Sequence, residues 1–210
     1  MARPLKADGA RTQARILAVA AELFAERGPD AVSIRELAAA AGLSVAMINH
    51  YFGSKEALYQ ATVDAMYAEL AALRPGLMEA TSRGEGLQAA VNAAIDVGYR
   101  FARAHRPALR FVMRDVLATG EVPAERKEAF LFPLLEALES LLAPRTAARR
   151  RALRLSGQSV LYLINRYALA SEAELQAIIG GPRASAETLT HQVIEHLQAI
   201  AALLLLEESP

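Results

Sequence analysis

"SIRELAAAAGLSVAMINHYFGSKEAL", residues 33–58, decides the fold, because helix punctuation recurs in it at Ser33, Ser44 and Ser54. Ser33-Ile34-Arg35-Glu36 reads as a capping box, in which a serine hydroxyl and a glutamate carboxylate each satisfy a backbone N–H of the first turn. Val32 can staple against Leu37, and Gly42 supplies the turn that closes this short helix. Ser44 then caps a third helix and Ser54 a fourth, opened by Lys55, Glu56, Ala57, Leu58 and Tyr59. Ala38 permits close approach of the two short helices, and Leu43, Ile48 and Phe52 offer apolar contacts that would lock the third across the second. The stretch predicts a helix-turn-helix.

Between Ser44 and Phe52 there is no Lys or Arg, so affinity for a polyanion has to come from outside the third helix. On a helical wheel Ile48 and Phe52 share the inner face with Tyr51 and, in part, Met47, while Val45, Ala46, Asn49 and His50 fall on the opposite face. That outer face suits the major groove: Asn pairs bidentately with adenine, His meets a base edge or a phosphate, and Val45 and Ala46 can touch a thymine methyl. Positive charge lies nearby. Arg3, Lys6, Arg11 and Arg15 face the single acid Asp8 on an N-terminal arm able to follow a phosphate strand or enter a minor groove. Arg35 stands in the first turn of the second helix, and Lys55 opens the fourth, where backbone N–H groups also attract phosphate. Taken singly, a basic N-terminus is commonly only solubilising and Lys55 could be a solvated surface residue. Their clustering around one capped motif favours DNA.

Outward from this motif, helices continue in both directions. Upstream, Ala10 to Arg27 places Ile16, Leu17, Ala20, Leu23 and Phe24 on one stripe and stops at Gly28-Pro29. Downstream, the fourth helix is long, and two amphipathic stripes follow, Leu87, Val91, Ile95, Gly98 and Ala102, then Leu109, Val112, Met113, Val116 and Leu117, with Pro107 suited to a first turn. Pro123 starts a further helix toward Pro144, and Pro133 inside it predicts a kink. Two later helices, about 146–170 and 185–206, are apolar on more than one face: Leu155, Tyr162 and Leu163 point one way, Leu161, Ile164 and Ala168 another. Such helices need cover on both sides. An isologous pairing with a second copy supplies it most simply, and cover within one subunit is the alternative.

Composition agrees with a globular chain: of 210 residues 53% are hydrophobic, and 23 basic residues balance 23 acidic ones, so net charge points neither to nucleic acid nor to membranes. Cys is absent, which removes disulfides and thiolate metal sites. "AIAALLLL", residues 199–206, is short of the roughly 20 residues of a bilayer span, and the polar "MARPLKADGARTQ" lacks the apolar run of a secretory signal. A cytoplasmic protein that avoids membranes is expected. Enzymatic motifs are missing: there is no Gly-rich phosphate loop, no G-x-S-x-G and no H-E-x-x-H, and His191 and His196 do not share an i, i+4 face. The expectation is therefore no enzyme, cofactor or metal.

"RILAVAAELFAERGPDAVSIRELAAAAGLSVAMINHYFGSKEALYQA", residues 15–61, with A-x-x-x-G-[LV]-S followed by Y-F-x-S-K-E-x-L, resembles the N-terminal DNA-binding domain of TetR-family transcriptional regulators. The resemblance implies an all-α fold: an N-terminal three-helix helix-turn-helix domain, 1–58, joined by a long helix to a larger helical ligand-binding and dimerisation domain, 59–210. It implies a homodimer formed through the last two long helices, double-stranded operator DNA as partner, and repression relieved by a small-molecule inducer. The family's DNA-contacting positions fall on Ser33, Arg35, Ser44, Val45, Ala46, Met47, Asn49, His50 and Lys55. Two positions depart from the common pattern. Asn49 stands where most members carry a phosphate-contacting Tyr, and Ala46 where Gly is common. "VAMINHYFGSKEALY" is instead similar to a subgroup related to the CecR regulators, so Asn49 either loses the phosphate contact or reads a base edge.

For a ligand, the polar and aromatic residues beside the apolar stripes of 87–170 are the candidates: Asn92, Asp96, Tyr99, Phe111, Arg114, Tyr162 and Asn165. Asn92, Asp96 and Tyr99 share one helical face, where they could orient a ligand or bond a neighbouring helix. Arg103, Arg106, Arg110 and Arg114 suggest an anionic ligand, but exposed residues and partners for acids such as Asp96, Asp115 and Glu121 are the favoured reading. A second class of reading also stands, an interaction protein that uses its helix-turn-helix only for packing, as does activation in place of repression.

Overall fold

A computed structural model of the protein describes residues 5–82, 86–142 and 147–206, and among them there are helices and turns but no strand. The chain divides into two compact units, residues 1–70 with 107–121 and residues 71–106 with 122–210.

In the first unit α1 (Leu5–Arg27) packs on α2 (Ile34–Ala40), and α2 on α3 (Val45–Phe52); α4 (Lys55–Ala71) and α7 (Arg106–Thr119) complete it. Local chemistry places nearly every boundary. Ile16, Ala20 and Phe24 form the buried stripe of α1, and the helix stops where Gly28, at φ +82°, donates its N–H to the Phe24 carbonyl at 2.9 Å. α1 begins earlier than Ala10, since Leu5, Lys6 and Ala7 are good helix formers and the helix continues through Gly9. The capping box is complete, and Val32 and Leu37 are both buried, as a staple requires. On α7 the buried stripe is Ala108, Leu109, Phe111, Val112 and Val116, which leaves Leu117 78% exposed. The stripe is rotated from the expected one, because Phe111 outweighs Met113 and Leu117 in directing the helix.

The second unit is built around α6 (Leu87–Ala104), on which α5 (Leu73–Thr81), α10 (Ala147–Leu169) and α12 (Ala186–Ala201) pack. α5 follows α4 as a separate helix, with Pro75 tolerated in its first turn. Pro123, extended at ψ 143°, caps α8 (Ala124–Arg126), which passes through a π-helical turn, Lys127–Leu131, into α9 (Phe132–Leu142). The expected irregularity at Pro133 therefore takes the form of a π turn immediately before it, where the proline ring cannot fit under the carbonyl four residues earlier. Gly157 lets α10 approach α9, since a Cβ there would run into Leu138 Cδ2. α11 (Glu172–Ile179), capped by Ser171 and stopped by Gly180, lies outside the segments that the apolar pattern predicts. Of the stripe read on α6, Val91, Ile95, Gly98 and Ala102 are buried, but Leu87, at the exposed first turn, is 42% accessible.

The residues from Ala186 to Leu206 form one helical run of 21 residues that holds an 18-residue window of mean hydropathy 1.3, long and apolar enough to cross a membrane. Its buried residues Leu189, Val193, Leu197, Ala201 and Leu205 repeat at helical spacing along a helix that packs on α6 and α10, the pattern of an amphipathic helix. The run "AIAALLLL" by itself understates this length, because the apolar face begins upstream among polar residues.

Candidate nucleic-acid interface

α3 is held at both ends by its own sequence. The Ser44 hydroxyl accepts from Met47 N at 3.2 Å, and Gly53, at φ +80°, donates to Asn49 O at 2.8 Å. Ile48 is fully buried and anchors the inner face with half-buried Tyr51 and Phe52, while Ala46, Asn49 and His50 are exposed and Val45 is half-exposed. Met47, read as partly inward, is 38% exposed and joins the outer face. The His50 ring stands edge-on to Tyr51 at 5.4 Å between centroids. A Cβ on Gly9 would sit 3.8 Å from the Tyr51 hydroxyl, so the extra turn of α1 lies against α3.

α2 presents Arg35 to solvent, whereas Ser33 is engaged in its cap. Glu36 Oε2 accepts from Ser33 N at 2.8 Å, the Ser33 hydroxyl accepts from Glu36 N at 3.2 Å, and Glu36 Oε1 accepts from Arg27 Nη1 at 2.9 Å. These bonds, led by the Ser33 N–H, then the Ser33 hydroxyl, then Arg27, lower the Glu36 carboxyl from its ordinary 4.5 to about 2. Arg27 thus ties the end of α1 to the first turn of α2, a link spanning nine residues that no local pattern announces. Lys55 also has a structural role, since its ammonium donates to the carbonyls of Pro29 at 3.0 Å and Val32 at 3.4 Å and so fastens the α1–α2 turn to the start of α4. On α1, Arg11 and Arg15 are exposed; Arg3, and the side chain of Lys6, lie outside the described residues.

The residues read as ligand contacts are divided between the two units. Asn92 Oδ1 accepts from Gln88 at 2.9 Å, and Asp96 accepts from Arg100 Nε at 3.1 Å and is half-exposed. Tyr99 is fully buried, with its hydroxyl unpartnered among the described residues, and burial raises its pKa against the opposing pull of Arg103 and Arg106. Tyr162 on α10 is 46% exposed, and Asn165 is half-buried on the same helix. Phe111 and Arg114 belong to the first unit, where Phe111 meets Tyr59 at 5.7 Å. A cleft of about 570 Å³ runs along Ile179 to Gln192, and another of about 420 Å³ lies beside Phe24, Gly28, Tyr59 and Phe111; neither is lined by Asn92, Asp96 or Tyr99.

Of the four arginines read as a possible anion cluster, Arg103, Arg106 and Arg114 bond to carbonyls at helix ends. Arg103 donates to the carbonyls of Ala168 at 3.3 Å and Ala170 at 2.8 Å, and Arg106 to Leu169 and Ala170 at 3.1 Å, closing the end of α10. The last carbonyls of a helix have no internal donor and carry partial negative charge, so guanidinium groups settle there. Arg110 is exposed. No group of three His, Cys, Asp or Glu able to hold a metal occurs among the described residues.

The family model for bacterial regulatory proteins of the tetR family matches residues 16–62, from the second half of α1 through the first turns of α4. A helix-turn-helix-type transcriptional repressor of Mycobacterium tuberculosis is 42% identical over 60 residues, 29% of this chain and 32% of that protein. The chain thus aligns with about a third of the length of the curated relatives it matches. Two solved structures extend the likeness to the fold of the whole chain. A TetR-like regulator from Rhodococcus sp. RHA1 aligns over 94% of this chain and 97% of its own, with TM-score 0.66 at 19% identity. A tetR-family regulator from Streptomyces coelicolor aligns over 95% and 90%, with TM-score 0.53 at 25% identity. Residues 16–62 thus match the tetR family of bacterial regulatory proteins, and the chain shares the helical fold of TetR-like structures over nearly its whole length.

Proposed function

We propose that the protein is a repressor that binds double-stranded operator DNA as a homodimer and is released by a small-molecule inducer in the cytoplasm, without enzymatic activity. The observation that carries this reading is α3: one fully buried anchor, Ile48, and an outer face of Val45, Ala46, Met47, Asn49 and His50 that is small and polar enough to enter a major groove. Asn49 reads a base edge, and Ser33, Arg35, Ser44, Arg3, Lys6, Arg11 and Lys55 supply phosphate contacts. For Lys55 this means an ammonium that serves two carbonyls and a phosphate oxygen together, within the capacity of its three donors. Residues 1–58 bind DNA, and 59–210 bind ligand and dimerise.

Dimerisation through α10 and α12 is supported by the apolar side chains those helices leave exposed, Leu155 at 72% and Tyr162 at 46%, with Leu203 at 58% just beyond α12. For the inducer, Tyr99 supports a site at α6: a buried hydroxyl without a partner is unusual and leaves a donor for a ligand atom. Asn92 and Asp96 on α6, and Tyr162 and Asn165 on α10, are the further polar candidates. Switching requires an inducer that binds the DNA-incompetent arrangement more tightly, with α4 carrying the change.

Fluorescence anisotropy with the DNA upstream of the protein's own gene tests the reading. Salt-dependent binding by the dimer is expected, and its absence would favour a helix-turn-helix used only for packing.

A further inference from the structure

α1 ends facing a side chain from far along the chain. Phe24 O is taken by the Gly28 N–H, and the next two carbonyls, of Ala25 and Glu26, accept from Arg114 Nη1 at 3.4 and 3.0 Å. Arg114 reaches them from α7, and Gly28 admits it: a Cβ there would stand 2.6 Å from Arg114 Nη2. The surrounding packing fixes α7 in this register. The Tyr59 ring lies edge-on to Phe24 at 5.4 Å and tilted on Phe111 at 5.7 Å, and its hydroxyl donates to Asp115 Oδ1 at 3.4 Å. From the capped end of α1, Arg27 runs on to Glu36 in the capping box of α2, the helix on which α3 packs.

We propose that Arg114 is a positioning residue for operator binding: by capping α1 it sets the angle at which Arg27 and Glu36 hold α2, and through α2 the presentation of α3. The inference rests on the operator-binding reading. Arg114 itself touches no DNA, so its loss should weaken binding without removing a counterion-releasing contact.

The test measures anisotropy against salt for the full-length protein, Arg114→Met, Arg114→Lys and Arg35→Ala, with the DNA upstream of the protein's own gene. Helicity by circular dichroism and hydrogen exchange at the Gly28 amide are followed in parallel. Arg114→Met should lower affinity about tenfold or more, keep the wild-type slope of log affinity on log salt, and speed exchange at Gly28; Arg114→Lys should recover part of the loss. Arg35→Ala, by contrast, should flatten the slope by about one. Wild-type affinity for Arg114→Met would overturn the proposal, and so would a slope reduced by about one, which would make Arg114 a phosphate contact. Should Arg114→Met lose its helicity, Gly28→Ala displaces the guanidinium with the arginine still present, and unchanged affinity in that variant overturns the proposal equally. A wild-type protein without salt-dependent binding overturns the operator-binding reading as well, and is recognised before any variant is compared.

Discussion

α3 and α10 both expose apolar side chains, and the two surfaces differ in what they suit. α3 has eight residues, a serine cap at one end, a glycine stop at the other and a single fully buried anchor, so its orientation is set within its own sequence. Apart from Met47, its outer residues are small or carry hydrogen-bonding tips. α10 has 23 residues, ends at carbonyls capped by Arg103 and Arg106 from over sixty positions away, and exposes Leu155 and Tyr162. A face of small and polar groups suits a hydrated groove that is read by hydrogen bonds. Large apolar groups on an exposed helix gain only by meeting another apolar surface.

The largest expected effect comes from removing the anchor of α3. Ile48→Ala should destabilise the first unit by about 2–5 kcal/mol, seen as a lower unfolding midpoint in denaturant, and abolish operator binding. A loss confined to binding, with the midpoint unchanged, would mean that Ile48 does not carry the packing of α3. On the α10 side, Leu155→Glu with Tyr162→Glu should convert the proposed dimer to a monomer in sedimentation while leaving helicity intact. A persistent dimer would move the interface to another face.

Asn49→Ala sharpens the comparison from the DNA side, with an expected cost of about 1–3 kcal/mol concentrated at one base pair across a set of operator variants. Equal losses on every variant would reassign Asn49 to phosphate. Ser44→Ala should cost about 1 kcal/mol of stability through the lost cap. Smallest is a pH effect. Glu36 titrates near 2 in the folded chain against an ordinary 4.5, so its stabilising contribution is complete above 4.5 and fades as pH falls toward 2. Glu36→Gln should therefore flatten stability against pH within that window only; an unchanged acid profile would show that the capping box and Arg27 do not hold the carboxylate in solution.

The same contrast explains which features were legible in the sequence. N-terminal caps are local: Ser33, Ser44, Ser54 and Ser185 sit beside the N–H groups they satisfy, and each marks the start of a helix in the structure. C-terminal closure by arginine is long-range, and Arg103, Arg106 and Arg114 resemble an anion site in the sequence because nothing around them names the carbonyls they meet. The Ser171 cap and the Gly180-Gly181 stop of α11 are present but fall between two stronger apolar runs. Periodicity on α10 identifies two apolar faces without saying which one the protein itself covers; Leu153, Val160, Ile164 and Ala168 are the buried ones. The outer face of α3 is legible because Ile48 sets the phase of a short helix, leaving only Met47 displaced.

Salt dependence of binding to the DNA upstream of the protein's own gene tests the central claim, that the polar face of α3 and the basic residues around it meet duplex DNA. Neutralising about 6–10 phosphates should lower affinity by about 10³- to 10⁵-fold between 50 and 200 mM salt. No binding, or binding indifferent to salt across that range, would contradict it.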